Sequence, residues 1–369
     1  MIKNYKIFGK IVQIVLSNDD NKVQKEILIK YFSLYEEIYD IENPDFVINI
    51  HKEEIDSNIV SINPKIHIEI ENGFKSLYRK ISITFSKNKT IYADVSLEIQ
   101  KKGFVTYLKK LNNIEYKSID ERISQILYEL VLVPSVYFDS DKILVHSSAF
   151  KNKNNKAVLI GGTGGVGKTS LEIELCMNRN HSFIADDISV VDLESNVYPN
   201  LSFPKIYSYN LENNKKLENY LFKDSGILDK FAWEFKKTLF GPAGVRRSIS
   251  PLEAYGQYQK NKIKLDKYYI LFKKDVKKIS IEKIDEKQAS EMTLSIIQSE
   301  YSDFNKHILW HEFNCKANNT EPILNLEIVL SRWKENAEKI FKTIDCYIIN
   351  IPFKIEHNVF VKTVADLID

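Results

Sequence analysis

The stretch Ala157-Val158-Leu159-Ile160-Gly161-Gly162-Thr163-Gly164-Gly165-Val166-Gly167-Lys168-Thr169 decides how the rest of this chain is read. Ala157 to Ile160 form a short apolar run ahead of a glycine-rich turn, which predicts a buried strand. Gly162 to Thr169 fit the pattern GxxxxGK[ST], and the amphipathic residues 168–178 predict a helix directly behind it. Glycines without a Cβ let the backbone curl so that its N–H groups point inward. Together with the N-terminus of the following helix they make an anion cradle, a P-loop. Gly162, Thr163, Gly164, Gly165, Val166, Gly167, Lys168, Thr169 and Ser170 are expected to hold a nucleoside triphosphate. The Lys168 ammonium should reach the β- and γ-phosphates, and the Thr169 hydroxyl should face Mg²⁺.

Working outward, residues 182–185 predict the next strand, which runs into Asp186-Asp187. Adjacent residues at a strand end point in opposite directions, so one carboxylate can face a metal while the other faces an acceptor. Two acids beside a polyphosphate would repel it without a cation, which implies Mg²⁺. Upstream, Ile143-Leu144-Val145 predict a strand that ends at His146-Ser147-Ser148-Ala149. Downstream, Gly241-Pro242-Ala243-Gly244-Val245-Arg246-Arg247 offers two arginines that could stabilise charge on a transferring phosphoryl group.

These three blocks (His146 to Ala149, Gly162 to Thr169, Ala185 to Asp187) resemble the core shared by HPr kinase and the ATP-dependent phosphoenolpyruvate carboxykinases, and their spacing matches. The likeness is specific over residues 143–192 and absent from residues 1–112. It implies an α/β P-loop nucleotide-binding core of that type, with His146 on a metal or phosphoryl oxygen and Asp186 supporting the Thr169-bound Mg²⁺. Asp187 would be the general base for an acceptor hydroxyl, although the two aspartates could exchange roles. It also implies a distal catalytic arginine, for which Arg247 is preferred to Arg246. The Tyr-x-Gly-x-x-Lys-Lys substrate motif of the carboxykinases is missing, so carboxylation is not expected. The N-terminal residues do not match authentic HPr kinase, which points to the looser HPr-kinase-like set.

The 369 residues predict two domains: an α+β unit over 1–112 and a kinase-like unit over 113–369. Alternation predicts strands over 5–16, 45–50, 65–70 and 79–85, and helical spacing covers 23–38. A break falls at Asn112-Asn113, followed by a capping box, Ser118 with Glu121. Farther on, residues 300–313 and 330–341 predict helices and 346–351 a strand. A content of 44% hydrophobic and 28% charged residues is enough for a sizeable core. The net charge of +2 argues for neither a nucleic-acid nor a membrane partner. Three dispersed cysteines suggest a reducing, cytoplasmic setting, with Cys176 as core. His307, His311 and Cys315 step by four. Residues eight apart lie about 12 Å apart on a helix, so packing rather than a shared ion is expected there.

The expected activity is therefore ATP- and Mg²⁺-dependent transfer of a γ-phosphoryl group to a hydroxyl, a serine of a protein or peptide. The alternatives are a small-molecule acceptor, or a non-catalytic nucleotide-sensing module. A homo-oligomer is compatible with the sequence.

Overall fold

Phe8 and Gly9 break what the sequence presents as one strand over 5–16. Both take positive φ, 53° and 79°, the conformation of a two-residue hairpin turn. The chain folds back there into β1 (Ile2–Ile7) and β2 (Lys10–Leu16), paired antiparallel. The computed structural model describes residues 1–16, 26, 29–39, 41–51, 58–64, 66–78, 81–97, 119–212, 214–223 and 225–369. The break at Asn112-Asn113 and Ser118 of the capping box lie outside them. Among the described residues the fold is mixed α/β, built on two nine-stranded sheets, the second of which includes β19 (Ser280–Ile284).

In the first sheet β2 runs parallel to β4 (Phe46–His51), which runs parallel to β9 (Ile91–Leu97). From β9 an antiparallel meander continues through β8 (Ile81–Lys87), β7 (Gly73–Tyr78), β6 (His67–Ile70) and β5 (Ile59–Asn63). β2, β4, β6 and β8 match alternating stretches; β5, β7 and β9 have no counterpart among them. The helix expected over 23–38 is seen at 29–32, and the chain then pairs with β1 as β3 (Glu37–Ile38). Edge pairing to Asn4 and Tyr5 overrides helical spacing there.

This sheet packs on the rest of the chain through aromatic and polar contacts. Phe32 stacks on Tyr128 at 5.3 Å, the Tyr128 hydroxyl donates to Tyr31 O at 2.8 Å, and Leu201 N–H donates to Tyr35 Oη at 2.8 Å. Tyr128 belongs to a π turn, Tyr128–Leu132, that extends α1 (Ile119–Leu127). Pro134 then opens a 3-10 turn, Pro134–Phe138, in a first position where its missing N–H is not needed.

A second seam joins β6 to the C-terminal helices. The helices after α1 are α2 (Lys168–Ile173), α3 (Lys215–Leu221), α4 (Ile227–Phe240), α5 (Pro251–Tyr255), α6 (Glu286–Glu300), α7 (Ser302–Asn318), α8 (Leu326–Phe341) and α9 (His357–Ile368). Buried Glu69 of β6 meets His311 Nδ1 at 2.8 Å and His67 Nε2 at 3.3 Å, while His67 Nδ1 lies 3.2 Å from His307 Nδ1. Glu69, His311 and Cys315 bring ligand-type atoms within 4.8 Å of one another. Ile323 N–H, however, donates to His311 Nε2 at 2.9 Å. That assigns the His311 proton to Nδ1, where it bonds Glu69. A metal-bound imidazole instead donates from its free nitrogen. The arrangement is a hydrogen-bonded seam that gathers partners from β6 which sequence spacing could not supply.

In the second sheet β12 (Ala157–Gly162) lies between antiparallel β11 (Ser147–Lys151) and parallel β18 (Ile263–Lys274). β11 also pairs antiparallel with β13 (Ser182–Ala185), and β18 pairs parallel with β20 (Asp345–Pro352). β10 (Lys142–Val145) pairs with β14 (Ser189–Asp192), which continues through β15 (Asn196–Tyr198) to β18. The strands expected at 143–145, 157–160, 182–185 and 346–351 are all present within one or two residues. Residues 300–313 are not one helix: α6 ends at Glu300 and α7 begins at Ser302.

Candidate functional site

Strand direction brings the three sequence blocks together. β11 is antiparallel to both β12 and β13, so its start lies beside their ends: Ser147 is opposite Gly161, and Ala149 opposite Ala185. His146 precedes β11, the P-loop follows β12, and Asp186-Asp187 follow β13. All three line one cavity of about 600 Å³.

In the loop Gly162, Gly165 and Gly167 take positive φ, 137°, 71° and 108°. Gly167 sits at φ 108°, and a Cβ there would stand 2.4 Å from the Phe360 ring of α9. Gly165, at φ 71°, faces open space. Lys168 is buried and folds back, donating to Gly162 O and Thr163 O at 3.1 Å each; burial pulls its pKa down against the neighbouring acids. The Ser170 hydroxyl accepts from Asn210 at 2.9 Å, and Val166 is buried.

The two aspartates follow the end of β13 and take different side-chain partners. Asp186 is buried and accepts from Thr169 Oγ1 at 3.2 Å and Ser148 Oγ at 3.1 Å. Burial and the charge of Asp187 push its pKa up. Asp187 follows at positive φ 71° and lines the same cavity. It meets His146 Nε2 at 3.0 Å and Lys205 Nζ at 3.0 Å. Burial opposes its ionisation, but Lys205, His146 and Lys168 outweigh burial and hold its carboxyl well below the usual range. Lys205 also pairs with Glu129. Burial works against its charge, and the two acids more than restore it, raising its pKa.

His146 is buried, and its Nδ1 has no hydrogen-bond partner, although Glu300 Oε1 lies 3.3 Å away out of line. A buried ring nitrogen left unpartnered on a cavity wall is costly and fits a site completed by a ligand. The donor set fits Mg²⁺ with a polyphosphate. Thr169 and Asp186 present hard oxygen donors side by side. Asp187 and Glu300 would repel the phosphates unless a cation stood between them.

The arginine preference is corrected by strand parity. β16 (Lys205–Tyr207) pairs antiparallel with β17 (Arg246–Ser248), placing Tyr207 opposite Arg246 and Ile206 opposite Arg247. Alternate residues face opposite sides. Lys205, Tyr207 and Arg246 therefore line the cavity, with Arg246 Nη1 donating to Tyr207 Oη at 3.2 Å. Arg247 points away, bonded to Asp229 at 3.2 Å and lying 5.3 Å over the Trp233 ring.

Sequence reasoning missed Lys205, Glu300 and Glu129. None sits in a motif, and only the register of β16 and the end of α6 bring Lys205 and Glu300 into place. On the far side of Asp187 and Lys205 a second cleft, edged by Tyr31, Glu129 and Phe203, has a volume of only about 30 Å³. That is room for a water or two.

No known family model and no curated protein matches the chain. Among solved structures, the Hpr(Ser) kinase/phosphatase of Coxiella burnetii is similar at 14% identity and a TM-score of 0.26, covering 61% of this chain and 93% of that one. A likeness of that size decides nothing by itself, and the side chains described above carry the functional reading. Among the described residues no helix is long and apolar enough to cross a membrane.

Proposed function

We propose that this chain is an ATP- and Mg²⁺-dependent phosphotransferase of the HPr-kinase-like type, built on a P-loop core of the HPr kinase/carboxykinase kind over residues 113–369. Its acceptor is a hydroxyl, a serine of a protein or peptide. The observation that carries this is the convergence on one cavity of a P-loop, the Thr169–Asp186 contact at 3.2 Å and the His146–Asp187 contact at 3.0 Å.

The triphosphate lies along the loop amides and the N-terminus of α2. Lys168 leaves the carbonyls of Gly162 and Thr163 for the β- and γ-phosphates. Thr169 and Asp186 would hold Mg²⁺, which would supply positive charge against the triphosphate. Asp187 accepts a hydrogen bond from the acceptor hydroxyl. The hydroxyl oxygen then bonds to the γ-phosphorus, the bond from that phosphorus to the β–γ bridging oxygen breaks, and the proton passes to Asp187. ADP leaves with the electron pair of the broken bond. Arg246, not Arg247, stands where it can stabilise the γ-oxygens. A carboxylate held ionised by Lys205 is always ready to accept but is a weak base. It suits a loose transition state in which the proton moves late.

The test is Asp187→Asn with γ-labelled ATP and a cell-extract or metabolite pool. Transfer should fall by about 10²–10⁴, while ATP affinity stays equal or tightens because one repelling charge is gone. Label in polypeptide supports the proposed acceptor, and label only in metabolites overturns it. Transfer by the variant within tenfold of wild type would remove Asp187 from the chemistry.

A further inference from the structure

Helix α4 is packed inside out. Its inner face carries Trp233, 1% exposed, and Lys236, 5% exposed. Trp233 lies edge-on to Phe222 at 5.3 Å and beneath the Arg247 guanidinium, which is held in turn by Asp229. The opposite face shows solvent Ile227 (88% exposed), Leu228 (72%), Phe231 (71%), Phe235 (57%) and Leu239 (59%). Rolling the helix to bury that stripe would pull Trp233 out of the core and break the Arg247–Asp229 pair. The stripe is therefore an outward-facing feature held in place by the packing beneath it. Isolated exposed apolar residues are ordinary, but five contiguous large ones on one helix face mark an interaction surface.

Two properties of the stripe say what covers it. Ile227, Phe231, Phe235 and Leu239 form a single i, i+4 ridge, and that ridge is symmetric about Trp233: aliphatic, aromatic, aromatic, aliphatic. Turned end for end, the ridge matches itself, as a two-fold interface requires. Ridges of this kind pack against each other with helix axes crossing at about −50°. The area also fits. With roughly 150–250 Å² for a large side chain, the stripe offers about 600 Å² per copy. The pair then reaches about 1,200 Å², the lower bound for a specific interface.

We propose that the outer face of α4 is the two-fold interface of a homodimer. Ile227 of one copy packs against Leu239 of the other, and Phe231 packs against Phe235. This does not depend on the nucleotide chemistry proposed above. Because α4 leads directly into Gly241–Val245 and Arg246, the interface lies one short loop from the cavity wall.

Light scattering or sedimentation equilibrium of the wild-type chain should give twice the 43.0 kDa chain mass at about 10 μM, in the range of transient to stable dimers. Phe231→Asp/Phe235→Asp should give the single-chain mass, with far-UV circular dichroism and urea midpoint unchanged because both side chains are exposed. Phe231→Lys/Phe235→Lys should also be single-chain, and an equimolar mixture of the two variants should recover the doubled mass. A wild-type monomer at about 100 μM overturns the proposal, whether or not it binds anionic vesicles or a peptide through this face. So does a dimer that survives the paired aspartates, or a mixture that fails to associate.

Discussion

Gly167→Ala tests whether the P-loop is shaped by its back wall as well as by its own backbone. An alanine at φ 108° carries a strain of about 1–2 kcal/mol for a positive φ. Its Cβ would also stand 2.4 Å from Phe360 Cε1 and 2.7 Å from Cζ, and forcing a methyl into a packed site costs about 1–3 kcal/mol. The expected total is about 2–5 kcal/mol. Gly165→Ala provides the control, since at φ 71° nothing lies within 4 Å; only the strain of about 1–2 kcal/mol remains. Phe360→Ala alone removes a buried ring and costs about 3–5 kcal/mol. Combined with Gly167→Ala it should recover about 1–3 kcal/mol relative to the sum of the singles, because the ring that the methyl strikes is gone. Urea denaturation of the four proteins measures each corner of the cycle. The reasoning fails if Gly167→Ala is no worse than Gly165→Ala, or if Gly167→Ala and Phe360→Ala add within about 0.5 kcal/mol.

The two neighbouring arginines should separate cleanly. Arg246→Ala should lower the transfer rate by about 10²–10³ at unchanged stability, whereas Arg247→Ala should cost about 2–3 kcal/mol in urea denaturation by stripping the cation from Trp233 and Asp229. Lys205→Met acts on pH. The Asp187 carboxyl is held below its usual range, so the ionised base is present above that pKa and is lost as pH falls through it. Removing the main cation raises the pKa, and the acid limb of kcat/KM should move to higher pH; an unmoved limb would assign it to another group. At the β6–α7 seam, burial and then His67 bring the His307 pKa from 6.5 down to about 4. The unfolded chain then takes up a proton below pH 6.5 that the folded chain refuses until about pH 4. Stability should drop by about 3 kcal/mol across that window, and His307→Gln should flatten the slope in urea midpoints measured from pH 7.5 to 4.

How much of this was legible depends on how local the information was. The glycine-rich loop, the strand before it and the strand at 182–185 follow from short-range rules, glycine conformation and apolar patterning. The structure places them as those rules require. Arg246 against Arg247 could not be decided locally, because the answer is the parity of β17, and parity is set by which residue of β16 it opposes. Lys205 and Glu300 were invisible for a related reason: a lysine or glutamate carries no signal until pairing or helix packing brings it to the cavity. The hairpin at Phe8-Gly9 was legible and was missed. Continuous alternation outweighed a glycine that should have been read as a turn. The seam around Glu69 lay beyond sequence altogether, since its partners stand some 240 positions apart in the chain.

The position of Lys168 has a consequence for what the loop will tolerate. Its ammonium already rests on two main-chain oxygens, so no naked charge waits at the mouth of the turn. A small anion such as sulfate or inorganic phosphate must compete with both, at about 1 kcal/mol each, with few other contacts to offer in return. On the reading proposed above, a triphosphate would displace them with a whole row of amides on its side, and the lysine would act as a doorkeeper that yields its two carbonyls to a polyphosphate but not to a lone small anion.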